Sequence, residues 1–414
     1  MFAAKLVRKV DNFRPLVQIT VFTFRAVTLG WAHDYGSSTL WEELGRVTTG
    51  ENYMDRRSFL KNTAIGGSAA AATTLAAPAY AQGRRTLTMV TSVPDGFAVF
   101  DDAAVHFVDL VNSMMDGQIT VEKKAAGQLV GAFEVFDAVS SGQADIYHSA
   151  DYYFGGQHPG YYYMTAVPFG ATGGEMISWY HHGGGQELHD ELGEIFNLKS
   201  FMCGNTGHQP GGWFNKEIQS AADLQGLKFR MPGIGGLALG RTGASVQNIP
   251  GGEIYQALSS GAIDGAEWIG PFADERLGFQ EVCEFYYTGG FHEPGSVLNC
   301  AFNRDVWNEM TPAQQAICET AAAATHHWSL SQSNYNNGSA LERLKAQGTK
   351  IMQFPDDVWD AFGRASKEAL DEFMGDELFA RIRASQEKAA AETYAWTSIS
   401  DNVFQEQRAR FNSL

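Results

Sequence analysis

Between Gly252 and Phe272 the apolar and polar positions spell three elements in turn. Ile254, Ala257 and Leu258 stand at i, i+3 and i+4, which lays one apolar stripe on a short helix. Ser259-Ser260-Gly261 ends it, with Gly261 suited to the left-handed residue that follows a helix. Ile263-Asp264-Gly265-Ala266 then reads as a short core strand, and Glu267-Trp268 stands where that strand stops. In open α/β sheets ligands sit outside the carboxyl ends of strands. The chemistry is therefore expected there.

The same pattern occurs earlier. Glu134 to Asp145 matches Glu253 to Asp264 class for class, as E-[VI]-[FY]-x-A-[VL]-S-S-G-x-x-D. Two copies do not make a solenoid, which stacks three or more short repeats. They predict two similar α/β lobes, each ending a strand at a common cleft. Tyr152 and Tyr153 follow the first strand, and Glu267 and Trp268 follow the second.

Around these copies, Arg85–Val93 alternates as a first strand, Ala98–Met115 has helical spacing, and Ile119–Lys124 reads as a second strand. Phe196–Cys203, Leu227–Arg230 and Val297–Phe302 are further strands. The helices expected beyond them are Pro312–Gln332, Ser339–Gln347, Asp356–Met374 and a last segment, Glu377–Phe411. The expected first lobe is 82–203 with 294–354 returning to it, the second is 204–293, and 355–414 are C-terminal helices. At least two crossings join the lobes, a hinge arrangement.

Residues 1–81 read differently. Arg56-Arg57-Ser58-Phe59-Leu60-Lys61 is a twin-arginine export motif, a small apolar run follows from Ala64 to Ala77, and Ala79-Tyr80-Ala81 forms a cleavage site. That run is too short and alanine-rich to anchor the chain in a membrane. Residues 54–81 are thus expected to be a signal peptide. Translation is expected to start at Met54, with residues 1–53 upstream sequence read as protein. Residues 1–81 hold nine Lys/Arg and six Asp/Glu, which leaves 21 and 41 of the chain's 30 and 47 in the remainder, a net −20. Such a surface is soluble and a poor partner for nucleic acid or anionic lipid. An anionic ligand must be attracted locally, against that field. Four cysteines, Cys203, Cys283, Cys300 and Cys318, show neither C-x-x-C pairing nor metal spacing, and leave disulfides and buried thiols both open.

From Arg84 onward the chain resembles the extracytoplasmic solute-binding proteins, DctP type, of tripartite ATP-independent periplasmic (TRAP) transporters, and within them the branch for 2-oxo and 2-hydroxy acids. The resemblance rests on GNTGHQPGGWFNKEI (Gly204–Ile218), LKFRMPG (Leu227–Gly233), SSGAIDGAEWIGP (Ser259–Pro271) and HEPGS (His292–Ser296). It implies a two-lobed, type II-like periplasmic binding protein that closes over a small monocarboxylate such as pyruvate or lactate and works with membrane permease subunits. Arg230, at a strand end before Pro232, can project into the cleft and match the carboxylate with its fork; the family's arginine at this motif position has that role. Tyr152, Tyr153, Asn205, Gln209 and Trp268 are the other expected ligand contacts. Glu267 and Glu293 beside an anionic ligand are costly unless a hard cation bridges them. The resemblance implies sodium or calcium on Gln209, Glu267, Glu293 and the Trp268 carbonyl. It also implies a possible homodimer through the C-terminal helices, where Leu378, Ile382, Tyr394, Trp396, Val403 and Phe404 exceed one docking stripe.

Rival readings are weaker. Gly233-Ile-Gly235-Gly236-Leu-Ala238 resembles a dinucleotide fingerprint, with Glu253 about twenty residues on, and an exported oxidoreductase is the alternative it raises. A hydrolase lacks both G-x-S-x-G and H-E-x-x-H here. His181-His182 and His326-His327 are adjacent pairs whose members point different ways, so neither pair is a ready metal site.

Overall fold

The computed structural model describes residues 84–412. The export motif, the cleavage site and the segment before Met54 lie outside these residues. In chain order the first strands are β1 (Arg85–Thr91), β2 (Ile119–Lys124), β3 (Ile146–Ser149), β4 (Leu198–Asn205) and β5 (Gly212–Phe214). They are followed by β6 (Lys228–Arg230), β7 (Ser245–Gln247), β8 (Gly265–Ala266), β9 (Phe285–Thr288), β10 (Val297–Asn303) and β11 (Lys350–Gln353).

These strands form two mixed sheets, ordered β2-β1-β3-β10-β4 and β11-β9-β5-β8-β6-β7. In the first, β1, β2 and β3 run parallel, and β10 lies antiparallel between β3 and β4. In the second, β8, β6 and β7 are parallel and β5 runs against both β8 and β9. Each antiparallel strand is the one the chain enters after crossing from the other lobe. The result is the expected two-lobed α/β architecture.

The repeated motif builds the same unit in each lobe. Helices Val135–Ser140 and Ile254–Ser259 end on Gly142 and Gly261 at φ 80° and 71°, where a side chain would be strained. The aspartate that closes each copy has one job. The Asp145 carboxylate accepts the Thr88 amide at 2.7 Å, and the Asp264 carboxylate accepts the Lys228 amide at 2.9 Å. Each therefore ties the start of its strand to the parallel neighbour.

Three segments cross between the lobes: β4 to β5, β9 to β10, and the 35-residue helix Pro312–Ala346, about 50 Å long at 1.5 Å per residue. Thr311 and Gln314 cap its start reciprocally, and Pro312 fills the first position. Two sequence expectations are corrected here. The helix is continuous through Asn336-Asn337-Gly338, although those residues have weak helical preference. A tertiary contact supports it: the Asn337 side chain accepts the Phe272 amide at 3.1 Å. Its far end delivers β11 to the second sheet beside β9, so Lys350–Gln353 does not return to the first lobe as expected.

The first two crossings are stitched together. Thr206 donates to the Ser296 carbonyl at 3.0 Å, Gln209 to that of Glu293 at 3.0 Å, and Gly211 to that of Tyr287 at 2.7 Å. The final segment forms helices Glu377–Thr397 and Asp401–Asn412. Phe379 and Ile382 of the first are buried, whereas Tyr394, Trp396, Ile399, Phe404 and Phe411 are exposed.

Candidate functional site

Parallel pairing of β6 with β8 sets Arg230 opposite Ala266, so Arg230 and Glu267 emerge side by side at the carboxyl ends of their strands. Both are buried, at 1% and 0% exposure. Arg230 Nη1 forms an ion pair with Glu267 Oε1 and donates to the Glu267 carbonyl at 3.2 Å. Nε donates to the Ile249 carbonyl at 3.0 Å, and Nη2 reaches the Tyr153 hydroxyl of the opposite lobe at 3.3 Å. Burial opposes the charge on Arg230, but Glu267 and the two tyrosines outweigh it and hold the guanidinium firmly protonated. Nη2 is thus the part of the fork that faces the other lobe.

A second carboxylate joins from the returning crossing. Glu293 is buried and its Oε2 accepts a hydrogen bond from the Ser296 hydroxyl. His292 places Nε2 at 3.4 Å from Glu267 Oε2. Ligand atoms of Glu267, His292 and Glu293 all lie within 4.8 Å of one another. Burial pushes the Glu267 carboxyl up to about 7 against the pull of Arg230. Burial, reinforced by the Glu267 charge, takes Glu293 up to about 7 as well. Burial also lowers His292 to about 4, so its ring is neutral and offsets neither charge. Gln209 approaches from the outgoing crossing. Its amide nitrogen donates to Thr206 at 3.1 Å and to Ser296 at 3.4 Å, while its buried Oε1 has no donor.

Aromatic side chains wall the site from both lobes. Trp268 packs against Phe97, with ring centroids 6.0 Å apart and nearly perpendicular, and stacks on Phe100 at 6.4 Å. Tyr152 and Tyr153 meet edge to face at 4.8 Å. Together with Thr206, Gln209 and Ser296 they enclose a cavity of about 10 Å³, close to what one water requires. The lobes are closed on each other here.

The structure therefore brings Arg230, Tyr152, Tyr153, Gln209, Glu267, Trp268 and Glu293 together. Asn205 is the exception: its Oδ1 caps the Gly207 amide at 2.8 Å and its Nδ2 reaches the Gly295 carbonyl at 3.5 Å, so it braces the turn out of β4. His292, Ser296, Thr206 and Phe100 were missed. His292 and Ser296 lie inside the HEPGS run, and Thr206 lies inside the GNTGHQPGGWFNKEI run next to Asn205; Phe100 carries no local signal. All four cysteines are buried and free.

The glycines of the apparent dinucleotide fingerprint have a packing explanation. A Cβ on Gly236 would lie 2.3 Å from the Met231 carbonyl, and one on Gly235 would lie 2.7 Å from His292. They let helix Gly233–Arg241 approach β6 and the cleft, and no nucleotide is needed to account for them.

Residues 89–376 match the family described as bacterial extracellular solute-binding protein, family 7. The monocarboxylate 2-oxoacid-binding periplasmic protein of Nostoc sp. strain PCC 7120 is 37% identical over 314 residues, which cover 76% of this chain and 86% of that protein. A TRAP periplasmic solute-binding protein from Pseudoalteromonas atlantica, solved with bound sodium and pyruvate, is 36% identical with a TM-score of 0.76, covering 78% of this chain and 99% of its own. One from Bordetella bronchiseptica, a mixed-occupancy dimer with co-purified calcium and picolinate, is 33% identical with a TM-score of 0.77, over 79% and 98% of the two chains. The chain belongs to this family. It is a periplasmic solute-binding component of a TRAP-type transporter, and the oxidoreductase alternative has no support.

Proposed function

We propose that the chain captures a small 2-oxo or 2-hydroxy monocarboxylate, such as pyruvate or lactate, jointly with sodium or calcium, for uptake through its membrane permease. One observation carries this: two buried carboxylates, Glu267 and Glu293, stand within metal-ligand reach of each other with one arginine paired to the first, and Gln209, whose buried amide oxygen has no donor, meets Glu293 through their shared partner Ser296. Ionised together, Glu267 and Glu293 exceed the charge of Arg230, and an anionic ligand would add to the excess. A hard cation resolves that balance with oxygen donors. Glu267, Glu293, Gln209 Oε1 and the Trp268 carbonyl are assigned to it, and it would supply the positive charge that lets the acid bind.

Arg230 is assigned to the acid's carboxylate, with Tyr152, Tyr153 and Trp268 around it. Because Nε and Nη1 are engaged by Ile249 and Glu267, Nη2 offers the first contact. A cation on Glu267 would loosen its hold on Nη1 and release more of the fork. Titration calorimetry of exhaustively desalted, chelator-treated protein with pyruvate tests this reading. Binding should appear only when sodium or calcium is restored, and undiminished binding without either would end it.

Two further assignments rest on less. Export through the twin-arginine pathway is supported by Arg56-Arg57 and the site ending at Ala81; Arg56→Lys together with Arg57→Lys should leave the precursor in the cytoplasm. A homodimer through the last helices is supported by the exposed Trp396, Phe404 and Phe411 and by the dimeric Bordetella relative. Sedimentation should show a dimer that Trp396→Asp with Phe404→Asp converts to monomer.

A further inference from the structure

The cleft holds one more carboxylate than its arginine can balance. Glu267 already has that arginine, through an ion pair with Nη1 and a second bond from Nη1 to its carbonyl. Glu293 arrives on a different element, the crossing from β9 to β10. Among the described residues its carboxylate accepts from one side chain, the neutral Ser296 hydroxyl. The groups whose charge bears most on Glu293 are Glu267, His292 and Arg230.

His292 does not supply the missing charge. Its Nε2 lies 3.4 Å from Glu267 Oε2, but its buried Nδ1 has no hydrogen-bond partner. A charged imidazole carries a proton on both nitrogens, and here one of them would be a buried donor with nothing to receive it. Arg230 therefore faces Glu267, Glu293 and the incoming acid alone. Three carboxylates against one guanidinium leave a net charge of −2 in a site whose acids are 0% and 3% exposed. Gln209 Oε1, buried and without a donor, adds an oxygen but no charge.

We propose that Glu293 sets the charge of the bridging cation: with a carboxylate at this position the cleft selects a divalent ion, calcium, over sodium. The inference rests on the reading of the cleft given above. A divalent ion brings the set to neutrality, whereas a monovalent one leaves a buried negative charge uncompensated, which is costly away from water. Ligand atoms of Glu267, His292 and Glu293 lie within 4.8 Å of one another, close to twice a calcium–oxygen distance of about 2.3–2.6 Å. Both acids can therefore reach one ion. A set that mixes carboxylate, amide and backbone oxygens suits calcium better than magnesium, which demands a near-ideal octahedron. A neutral amide at position 293 would reduce the count by one and suit a monovalent ion.

The test uses the full chain, freed of ions by chelation and desalting, with pyruvate as the probe. Titration calorimetry follows pyruvate binding against added calcium or sodium, with ionic strength held constant by choline chloride. Calcium should promote binding at a concentration roughly 1,000-fold below that of sodium, since an unbalanced buried charge costs several powers of ten in a binding constant. Glu293→Gln should shrink that preference by at least about tenfold, chiefly by weakening calcium. Glu293→Asp keeps the charge and should keep the preference, even where both ions bind more weakly. The proposal is overturned by sodium acting at the same concentration as calcium. It is overturned equally by a preference that Glu293→Gln leaves unchanged or that Glu293→Asp abolishes. The wild-type comparison decides even where a variant does not fold. Pyruvate that binds without any ion, or that binds with neither, is a separate failure: it ends the reading of the cleft, and this inference with it.

Discussion

Each copy of the repeat is followed by a buried carboxylate, and the fold treats the two oppositely. After β3 comes Asp151, whose Oδ1 accepts the Tyr147 hydroxyl at 3.0 Å and whose Oδ2 pairs with His189 at 3.1 Å. His189 is held in turn by Tyr180, so a closed network runs through the core of the first lobe. After β8 comes Glu267, which shares its one arginine with a site that also holds Glu293. Another buried acid marks the same contrast. Asp274 accepts from Trp213, Tyr286 and the amides of Ile269 and Gly270, all at 2.9 to 3.0 Å. Satisfied carboxylates rigidify a fold, whereas carboxylates in excess of their donors store a demand for a ligand.

The contrast can be broken most severely at Asp151. Asp151→Asn should destabilise the chain by about 3 kcal/mol or more, since it leaves a buried network with a missing partner; urea unfolding measures it. Acid affinity of the folded fraction should stay within about twofold. Glu293→Gln should do the reverse. It removes a charge that faces another carboxylate, so stability without cation should hold or rise, while cation and acid affinity should fall on the order of 100-fold. A large loss of stability in this variant would make Glu293 structural.

Arg230→Lys should weaken the acid roughly tenfold or more and leave cation binding nearly intact, because a point charge replaces a fork; calorimetry separates the two. Acidity should act next. With Glu267 and Glu293 lifted from 4.5 to about 7, the folded chain holds protons that the unfolded chain has lost across that window. Stability without cation should therefore fall as pH rises from about 4.5 to 7 and level off above. Cation affinity should do the opposite, rising about tenfold per pH unit for each proton displaced until pH 7. A cation affinity flat between pH 5 and 7 would show that these carboxyls do not bind the ion. The smallest effect tests what the copies share: Asp145→Ala and Asp264→Ala should each cost about 1 kcal/mol, by equal amounts, as each removes one strand-tying hydrogen bond.

The repeat, the strand ends after it and the polar types at Arg230, Glu267 and Glu293 were legible in the chain. They are local: a helix stripe, a left-handed glycine and a residue at a strand terminus depend on neighbours within a few positions. The long helix was expected in two pieces, Pro312–Gln332 and Ser339–Gln347, and the hydrogen bond that supports the residues between them comes from Phe272, 65 residues from Asn337. Asn205 failed for a similar reason, since its amide is consumed by a turn whose partner Gly295 lies on the other crossing.

Residue types and spacing thus determined by themselves that the chain makes two alike lobes and that carboxylates and an arginine end its strands. Whether a given carboxylate is a structural post or part of a binding site was decided only by the tertiary structure. That distinction is a count of donors within hydrogen-bond reach. Asp151 draws its donors from β3 and from His189, 38 residues on, whereas Glu267 and Glu293 are brought together by a crossing that no local pattern announces. Histidines show it too: adjacent in sequence, His326 and His327 part company in space, and burial leaves the first neutral and unpartnered while its neighbour stays in solvent.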